Sequence, residues 1–517
     1  MNTRTMKDRI EELAKRREEV AAGGGDKRIA KQHEQGKLTA RERIAELLDP
    51  GSFSETGMFA QHRSTLFGMA EAVMPADGVV TGAGTVLGRP IHLASQDFTV
   101  AGGSAGQVHN EKVVAMMQAS LKTGTPFVFI NDSGGARVQE GIDSLSGYGQ
   151  VFYANTQLSG VVPQISVIAG PCAGGAVYSP ALTDFIIQTR AARLFITGPS
   201  VIQQVTGEVV SDEALGGPDA HMQHSGVVHF VADDDQQALL IVKKLLSFLP
   251  NNNAEDPPEI PNDYVVEPNQ RLNEIIPDDP KKAYDVREVI ANVVDNADFL
   301  EVQAGYATNI VIGFARVCGR TVGIIANQPN VISGVLDINA SDKGARFVRF
   351  CNAFNIPLVT FVDVPGFLPG VAQEYGGIIR HGAKMLFAYS AATVPKITVI
   401  LRKAYGGAYI AMCSKDLGAD RVLAWPTAEV AVMGAEGAAG IVFRKEISAA
   451  EDPKAKRQEL IDLYRDTFAT PYVAASRRLV DDVIEPADTR HAIAAALEDL
   501  HAKRELRPPK KHGLIPL

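Results

Sequence analysis

The sequence predicts an α/β protein built of two tandem, homologous domains, and three observations carry that prediction. From about Gly78 onward, short apolar runs rich in β-branched residues alternate with longer helical patterns, the mark of βα units. A segment rich in proline, asparagine and acid, Leu249 to Asn262, interrupts the alternation and reads as a linker. Beyond it the pattern restarts, with motifs recurring at a constant offset of 231 positions. The expected domains are residues 1–255 and 256–517.

Taken in order, the chain begins with charged residues and sparse apolar positions. They predict an exposed helix from Lys7 to Val20, ended by Gly23-Gly24-Gly25. A second helix is signalled from Leu38 to Leu48, with Thr39 as N-cap, Glu42 completing a capping box and Asp49-Pro50-Gly51 as the stop. Ile91–Ser95 and Phe127–Asn131 read as strands, Val108–Leu121 and Gly149–Ser159 as helices. In the repeat, Gly88-Arg89-Pro90 returns as Gly319-Arg320-Thr321, and Glu111-Lys112-Val113 as Asp342-Lys343-Gly344. The run from Thr125-Pro126 to Asp132 returns as Ile356-Pro357 to Asp363. One extra residue then sets Gly174-Gly175-Ala176 against Gly406-Gly407-Ala408.

Bulk properties narrow the function. A chain of 517 residues exceeds a single core, and 45% hydrophobic with 21% charged residues is ordinary for a globular protein. A net charge of −9 disfavours nucleic acid as a partner. The four cysteines, Cys172, Cys318, Cys351 and Cys413, show no C-x-x-C spacing, which argues against a zinc ribbon and fits a reducing cytoplasm. The N-terminus lacks the apolar segment of a secretory signal, and Asp8, Glu11 and Glu12 argue against a transit peptide. No apolar run reaches the roughly 18 residues needed to span a membrane.

The glycine turns carry the chemistry. Each Gly-Gly-Ala follows an apolar run, Gln164–Ala169 or Lys396–Leu401, and leads into a helical stretch, which in the second copy contains Ile410-Ala411-Met412-Cys413. A strand that turns through glycines into a helix points backbone N–H groups, reinforced by the helix N-terminus, at one spot suited to a negative oxygen. Further glycine turns follow the two matched aspartates: Ser133-Gly134-Gly135-Ala136-Arg137 and Val364-Pro365-Gly366-Phe367. A third segment, Ala101-Gly102-Gly103-Ser104-Ala105-Gly106, has a counterpart, Val331–Leu336, with much less glycine, so similar scaffolds with different pockets are expected. Singly, each reads as a tight turn. Identical placement in two divergent halves points to a shared use of backbone amides.

Side-chain catalysts are scarce. The eleven histidines form no metal spacing, and His92, His221, His224 and His229 read as surface or core polar residues. Ser104, Ser133 and Ser179 lie near glycine turns without a G-x-S-x-G elbow. Asp132 and Asp363 end strands and are expected to cap the next turn. Glu436 is a candidate polar group near the second turn. No dinucleotide fingerprint or Walker loop is present.

Together, Asn131–Arg137, Gly174–Pro180, Asp363–Phe367 and Arg402–Tyr409 resemble the β (carboxyltransferase) subunits of biotin-dependent acyl-CoA carboxylases, the propionyl-CoA carboxylase type above all. The resemblance implies two crotonase-like (ClpP/crotonase) domains per chain and a homohexamer with each active site between the N-domain of one chain and the C-domain of its partner. The N-domain would take the acyl-CoA and the C-domain the biotin. Carried over, Gly174, Gly175 and Ala176 would hold the thioester oxygen, Gly407 and Ala408 the ureido oxygen of biotin. Gly102, Gly103, Ser104, Ala105, Gly134, Gly135, Ala136, Tyr178, Gly366, Phe367, Tyr409 and Ile410 would bind the substrates, Ile410 at the pocket position that tunes acyl-chain choice. Two enolate oxygens call for two holes, and the duplication supplies two.

The resemblance also implies biotin on a separate carrier, ATP used only by a partner biotin carboxylase subunit, and no metal in this chain. Expected substrates are propionyl-CoA or acetyl-CoA. One departure bears on this: propionyl-specific members carry Asp after Ala408-Tyr409, and here Ile410 stands there. In that respect the sequence is similar to transcarboxylase 12S and methylmalonyl-CoA decarboxylase subunits, which run the same half-reaction in reverse.

Overall fold

The computed structural model describes residues 4–261, 266–280 and 282–517. Asn262, the last residue of the expected linker, and Met1–Thr3 lie outside them. The chain divides into two compact units, Met1–Glu255 and Asp256–Leu517.

The first unit opens with three helices: α1 (Met6–Ala21), α2 (Asp26–Glu34) and α3 (Ala40–Leu47). Capping boxes at Thr5/Asp8 and Thr39/Glu42 start α1 and α3. Helix α2 was not expected. Its start at Gly25, directly after the glycine run, makes that run a joint between helices. The sheet that follows contains β1 (Ser54–Thr56), β2 (Val79–Val86), β3 (Arg89–Gln96), β4 (Phe127–Ser133), β5 (Gln164–Ala173), β6 (Phe185–Thr189), β7 (Arg193–Phe195) and β8 (Phe230–Ala232). Their order is β1-β2-β3-β4-β5-β6-β8, with β7 paired to the far end of β5. From β3 onward the pairing is parallel. Every residue of β4 is buried, the reading expected of a parallel strand covered on both faces. On one face α4 (Gln107–Thr123) and α5 (Ile142–Leu158) set Val113, Met116, Met117, Val151 and Leu158 against Phe127 and Phe129.

The second unit repeats this plan. Strands β9 (Phe299–Val302), β10 (Ile310–Val317), β11 (Arg320–Asn327), β12 (Leu358–Val364), β13 (Lys396–Tyr405), β14 (Arg421–Ala424), β15 (Glu429–Ala431) and β16 (Asp482–Val483) lie in the order β9-β10-β11-β12-β13-β14-β16, with β15 on β13. Strands β2, β3 and β4 match β10, β11 and β12 residue for residue at the sequence offset of 231. Helices Ile338–Ala353 and Ile378–Ala391 replace α4 and α5, while Val286–Val293 and Thr489–Asp499 cover the other face.

One matched pair has a structural purpose in both units. Lys112, within α4, buries its ammonium against the carbonyls of Ala76 and Val79, at 2.7 and 2.5 Å. Lys343, its repeat partner, donates to the carbonyls of Gln303, Tyr306 and Ile310 at 2.7–3.0 Å. Each lysine therefore satisfies the kinked backbone that enters the sheet, where carbonyls have no ladder partner. Lys112→Met and Lys343→Met each strand one buried carbonyl, that of Val79 or of Ile310, a loss of about 1–3 kcal/mol. The expected result is a lower midpoint in chemical denaturation with the slope unchanged.

Candidate functional site

In the first unit, three glycine segments converge at the C-terminal ends of β3, β4 and β5. The Gly102 carbonyl accepts from the Gly134 amide at 2.9 Å, and Ala105 forms a parallel bridge with Ala136. A Cβ on Gly103 would stand 2.2 Å from the Asp132 carbonyl, so only glycine fits. Gly135 lies against the Ala173 carbonyl, which brings this turn beside Gly174. Gly102, Gly103, Ser104, Ala105, Gly134, Gly135, Ala136, Gly174, Gly175 and Ala176 thus share one end of one sheet. Tyr178 follows on the next turn, 46% exposed, edge-on to Phe152.

The turn itself is tight. β5 ends at Ala173, Gly174 takes φ +63°, and Gly174–Val177 form a 3-10 turn. The amide of Gly174 donates to the Ile196 carbonyl at 3.2 Å and is thereby engaged. In a 3-10 turn the third residue is the first to close an internal ring, which leaves the Gly175 amide facing outward. A Cβ at Gly175 would meet nothing within 4 Å. In the second unit β13 ends at Tyr405, Gly406 takes φ +60°, and Gly406–Ala411 form an α-helical turn. The amides of Gly407 and Ala408 precede the first amide that donates within the helix. A Cβ at Gly407 would touch only the Phe367 ring, at 4.0 Å. Phe367 is fixed by the Leu336 bridge on one side and Gly382 on the other, and Ile410, on the same short helix, is 41% exposed. This helix ends at Ala411, so Met412 and Cys413 lie beyond it.

The glycine-poor counterpart has the same backbone. Ser333 takes φ +58° where Gly102 takes +64°, and Ile332 +39° where Ala101 takes +49°. The expected difference between the units at this point lies in side chains alone.

Buried charges that the sequence did not flag hold these turns. Arg137, 1% exposed, donates to Asp77 at 2.5 Å, to Glu140 at 2.8 Å and to the Ser104 carbonyl at 2.7 Å. The same two carboxylates accept the amides of His109 and Gln107, filling the N-terminus of α4 from within the protein. Asp132 and Asp363 do not cap the turns after them. Asp132 accepts from Lys37, Arg43 and Gln32, and Asp363 from Arg402, Tyr284 and the Lys403 amide. Ser133 Oγ instead accepts from the Gly135 amide. Ser104 Oγ accepts from Arg137, and Ser179 is buried. Glu436 pairs loosely with Arg465 at 3.6 Å. Among the described residues no group of His, Cys, Asp and Glu is placed to hold a metal ion, and no helix is long and apolar enough to cross a membrane.

With this geometry in place, a carboxyl transferase domain is matched over residues 31–515. The chain belongs to the carboxyl transferase family. The methylmalonyl-CoA carboxyltransferase 12S subunit of Propionibacterium freudenreichii subsp. shermanii is 67% identical over 99% of this chain and 98% of its own length. The carboxyltransferase subunit of propionyl-CoA carboxylase from Haloferax mediterranei is 57% identical over 99% of this chain and all of its own. A crystal structure of transcarboxylase 12S, described as a hexamer assembly with methylmalonyl-coenzyme A bound, superposes with TM-score 0.98 at 67% identity, covering 100% of this chain and 99% of that one. The protein is a carboxyltransferase, and its two units are crotonase-like domains.

His109 gives this carboxyltransferase an acid limit. Its Nδ1–H donates to the Asp77 carbonyl at 3.0 Å and its Nε2 accepts from Gln96 at 3.2 Å, so neither nitrogen has room for a second proton. Burial pushes its pKa down to about 3. A lowered pKa means that the unfolded chain binds the proton first, so stability is lost as pH falls from about 6.5 towards 3, by up to about 1.4 kcal/mol per pH unit. Unfolding midpoints measured from pH 7 to pH 4 should fall steeply, and His109→Gln should flatten that limb.

Proposed function

We propose that this carboxyltransferase moves a carboxyl group between biotin, carried on a separate protein, and the α-carbon of a short acyl-CoA, with propionyl-CoA and methylmalonyl-CoA as the substrate pair. The observation that carries the reading is the duplicated turn, in which two strand ends pass through glycine into short helical turns whose leading amides make no intrahelical bond, beside glycines where a Cβ would meet nothing closer than 4.0 Å. The named substrates of the relatives support the choice of acyl-CoA.

Loss of the α-proton turns a thioester carbonyl into an enolate oxygen. The Gly175 amide holds that oxygen, while Gly174 and Ala176, their own amides engaged, shape the turn. Gly407 and Ala408 hold the ureido oxygen of biotin, and the open approach to Gly407 suits a flat ring. Biotin supplies the transferable carboxyl group and the base for the α-proton. Each hole contributes on the order of 3 kcal/mol of transition-state stabilisation per donor. Gly102, Gly103, Ser104, Ala105, Gly134, Gly135, Ala136 and Tyr178 line the acyl-CoA side, Gly366, Phe367 and Tyr409 the biotin side, and Ile410 tunes the choice of acyl chain. The first unit is thereby the acyl-CoA domain and the second the biotin domain.

A second reading, a transcarboxylase subunit that works from methylmalonyl-CoA towards biotin, is favoured by Ile410 and by the 67% identity to a 12S subunit. In the carboxylase reading the partner is a biotin carboxylase and carrier subunit that alone spends ATP. In both, the protein is a cytoplasmic homohexamer, as the hexamer assembly of the matched 12S structure supports.

Purified protein given methylmalonyl-CoA and free biotin should release propionyl-CoA, followed by chromatography of the CoA esters; complete inactivity would count against both readings. Gly175→Ala and Gly407→Ala add a methyl in open space at unstrained backbone, so the unfolding midpoint should hold or rise. Their kcat should fall about a hundredfold, because the methyl occupies the oxygen's place.

A further inference from the structure

The parallel ladders that lead to the two turns carry the same irregularity. Asn131 pairs with Ile168, but Ser133 pairs with Cys172. Likewise Val362 pairs with Ile400, but Val364 pairs with Ala404. In each unit three residues, Ala169-Gly170-Pro171 or Leu401-Arg402-Lys403, face a single aspartate on the neighbouring strand. That aspartate is fully enclosed: Asp132 is 0% and Asp363 1% exposed. In both units two residues separate the bulge from the glycine turn, so its shape sets where the turn begins.

The carboxylates grip the bulges by different means. Asp363 accepts the bulge amide of Lys403 at 3.1 Å and the bulge side chain of Arg402 at 2.9 Å; Tyr284 adds a hydroxyl at 3.0 Å. In the first unit the residue matching Arg402 is Gly170. A Cβ there would lie 1.9 Å from Asp132 Oδ1 and 2.7 Å from Lys37 Nζ. The space goes instead to Lys37, between α2 and α3, and to Arg43 of α3, and Arg43 also reaches the bulge carbonyl of Ala169 at 3.3 Å. Two solutions with different cations keep one carboxylate and one bulge.

We propose that Asp132 and Asp363 are positioning residues for carboxyl transfer: each locks the bulge of the adjoining strand and so sets where the amides of Gly175, or of Gly407 and Ala408, stand. The proposal rests on the assignment of those amides as oxyanion holes. An oxyanion hole tolerates displacements of only about half an ångström. Asp132 and Asp363 touch no substrate in this scheme and act only through the strand.

The test uses Asp363→Asn and the milder Tyr284→Phe in the full-length assembled protein, with methylmalonyl-CoA and free biotin as probes. Asp363→Asn should lower kcat about tenfold or more, and Tyr284→Phe by about threefold. The KM for methylmalonyl-CoA should stay within about twofold of the parent, because the first unit is untouched. Equal losses through that KM, or parent kcat in both variants, would overturn the proposal. If Asp363→Asn does not fold, Tyr284→Phe decides by the same criteria. Crystal structures of the variants separate this proposal from the functional one. An inactive parent protein rejects the carboxyl-transfer reading, whereas a Gly406–Ala408 turn that superposes unshifted on the parent rejects positioning by Asp363.

Discussion

A carboxylate shut away from water must be met by donors on every side, and the glycine turns of this protein are built on two that are. Around Asp132 the donors are Lys37, Arg43 and Gln32; around Asp363 they are Arg402, Tyr284 and a backbone amide. Removing one partner from such a cluster leaves an unpaired charge in the interior, a cost of about 3–5 kcal/mol. The ends of four central strands therefore have little freedom to drift. Backbone N–H groups make useful catalysts only when they are already in place, and rigid strand ends are a means of keeping them there.

Duplication preserved geometry more faithfully than composition. The segment Gly102-Gly103 and its counterpart Ser333-Gly334 trace the same left-handed path, although serine at φ +58° is disfavoured. The close approach of Gly334 to the Asp363 carbonyl, 2.7 Å from a would-be Cβ, repeats that of Gly103 to Asp132. By contrast, Arg137, which ties the Ser104 loop to Asp77 and Glu140, has Leu368 as its counterpart. Scaffold positions have been held and lining positions allowed to change, as expected of two halves that bind different molecules.

Much of this was legible in the chain. Strands β3 and β4 could be anticipated from their apolar runs, and the offset of 231 carries them to β11 and β12, with ends that differ from expectation by a few residues. The glycine turns were visible because glycine marks positive φ and close approach. The bulges were not, since both copies carry the same insertion and alignment of one half with the other hides it. Nor were the partners of Asp132, which lie 89 to 100 residues away in the sequence, where no spacing links them to it. Helix α2 escaped notice because its one buried residue is Gln32, held by hydrogen bonds. The signal that was present is the survival of Lys112/Lys343 and Asp132/Asp363 between halves that otherwise diverge, since a charge kept in a helix or strand face is kept for burial.

Arg43 adds an ordering in time. It bridges Asp132 to Asp235, a residue 192 positions further on, and Asp235 also takes the Leu38 amide. During synthesis the N-terminal helices emerge first, yet their cations cannot be fully partnered until the helix Asp235–Phe248 has followed nearly two hundred residues later. The contacts that hold Leu38 and Arg43 are thus completed only when that helix is in place. They act as a latch that closes only on a completed sheet.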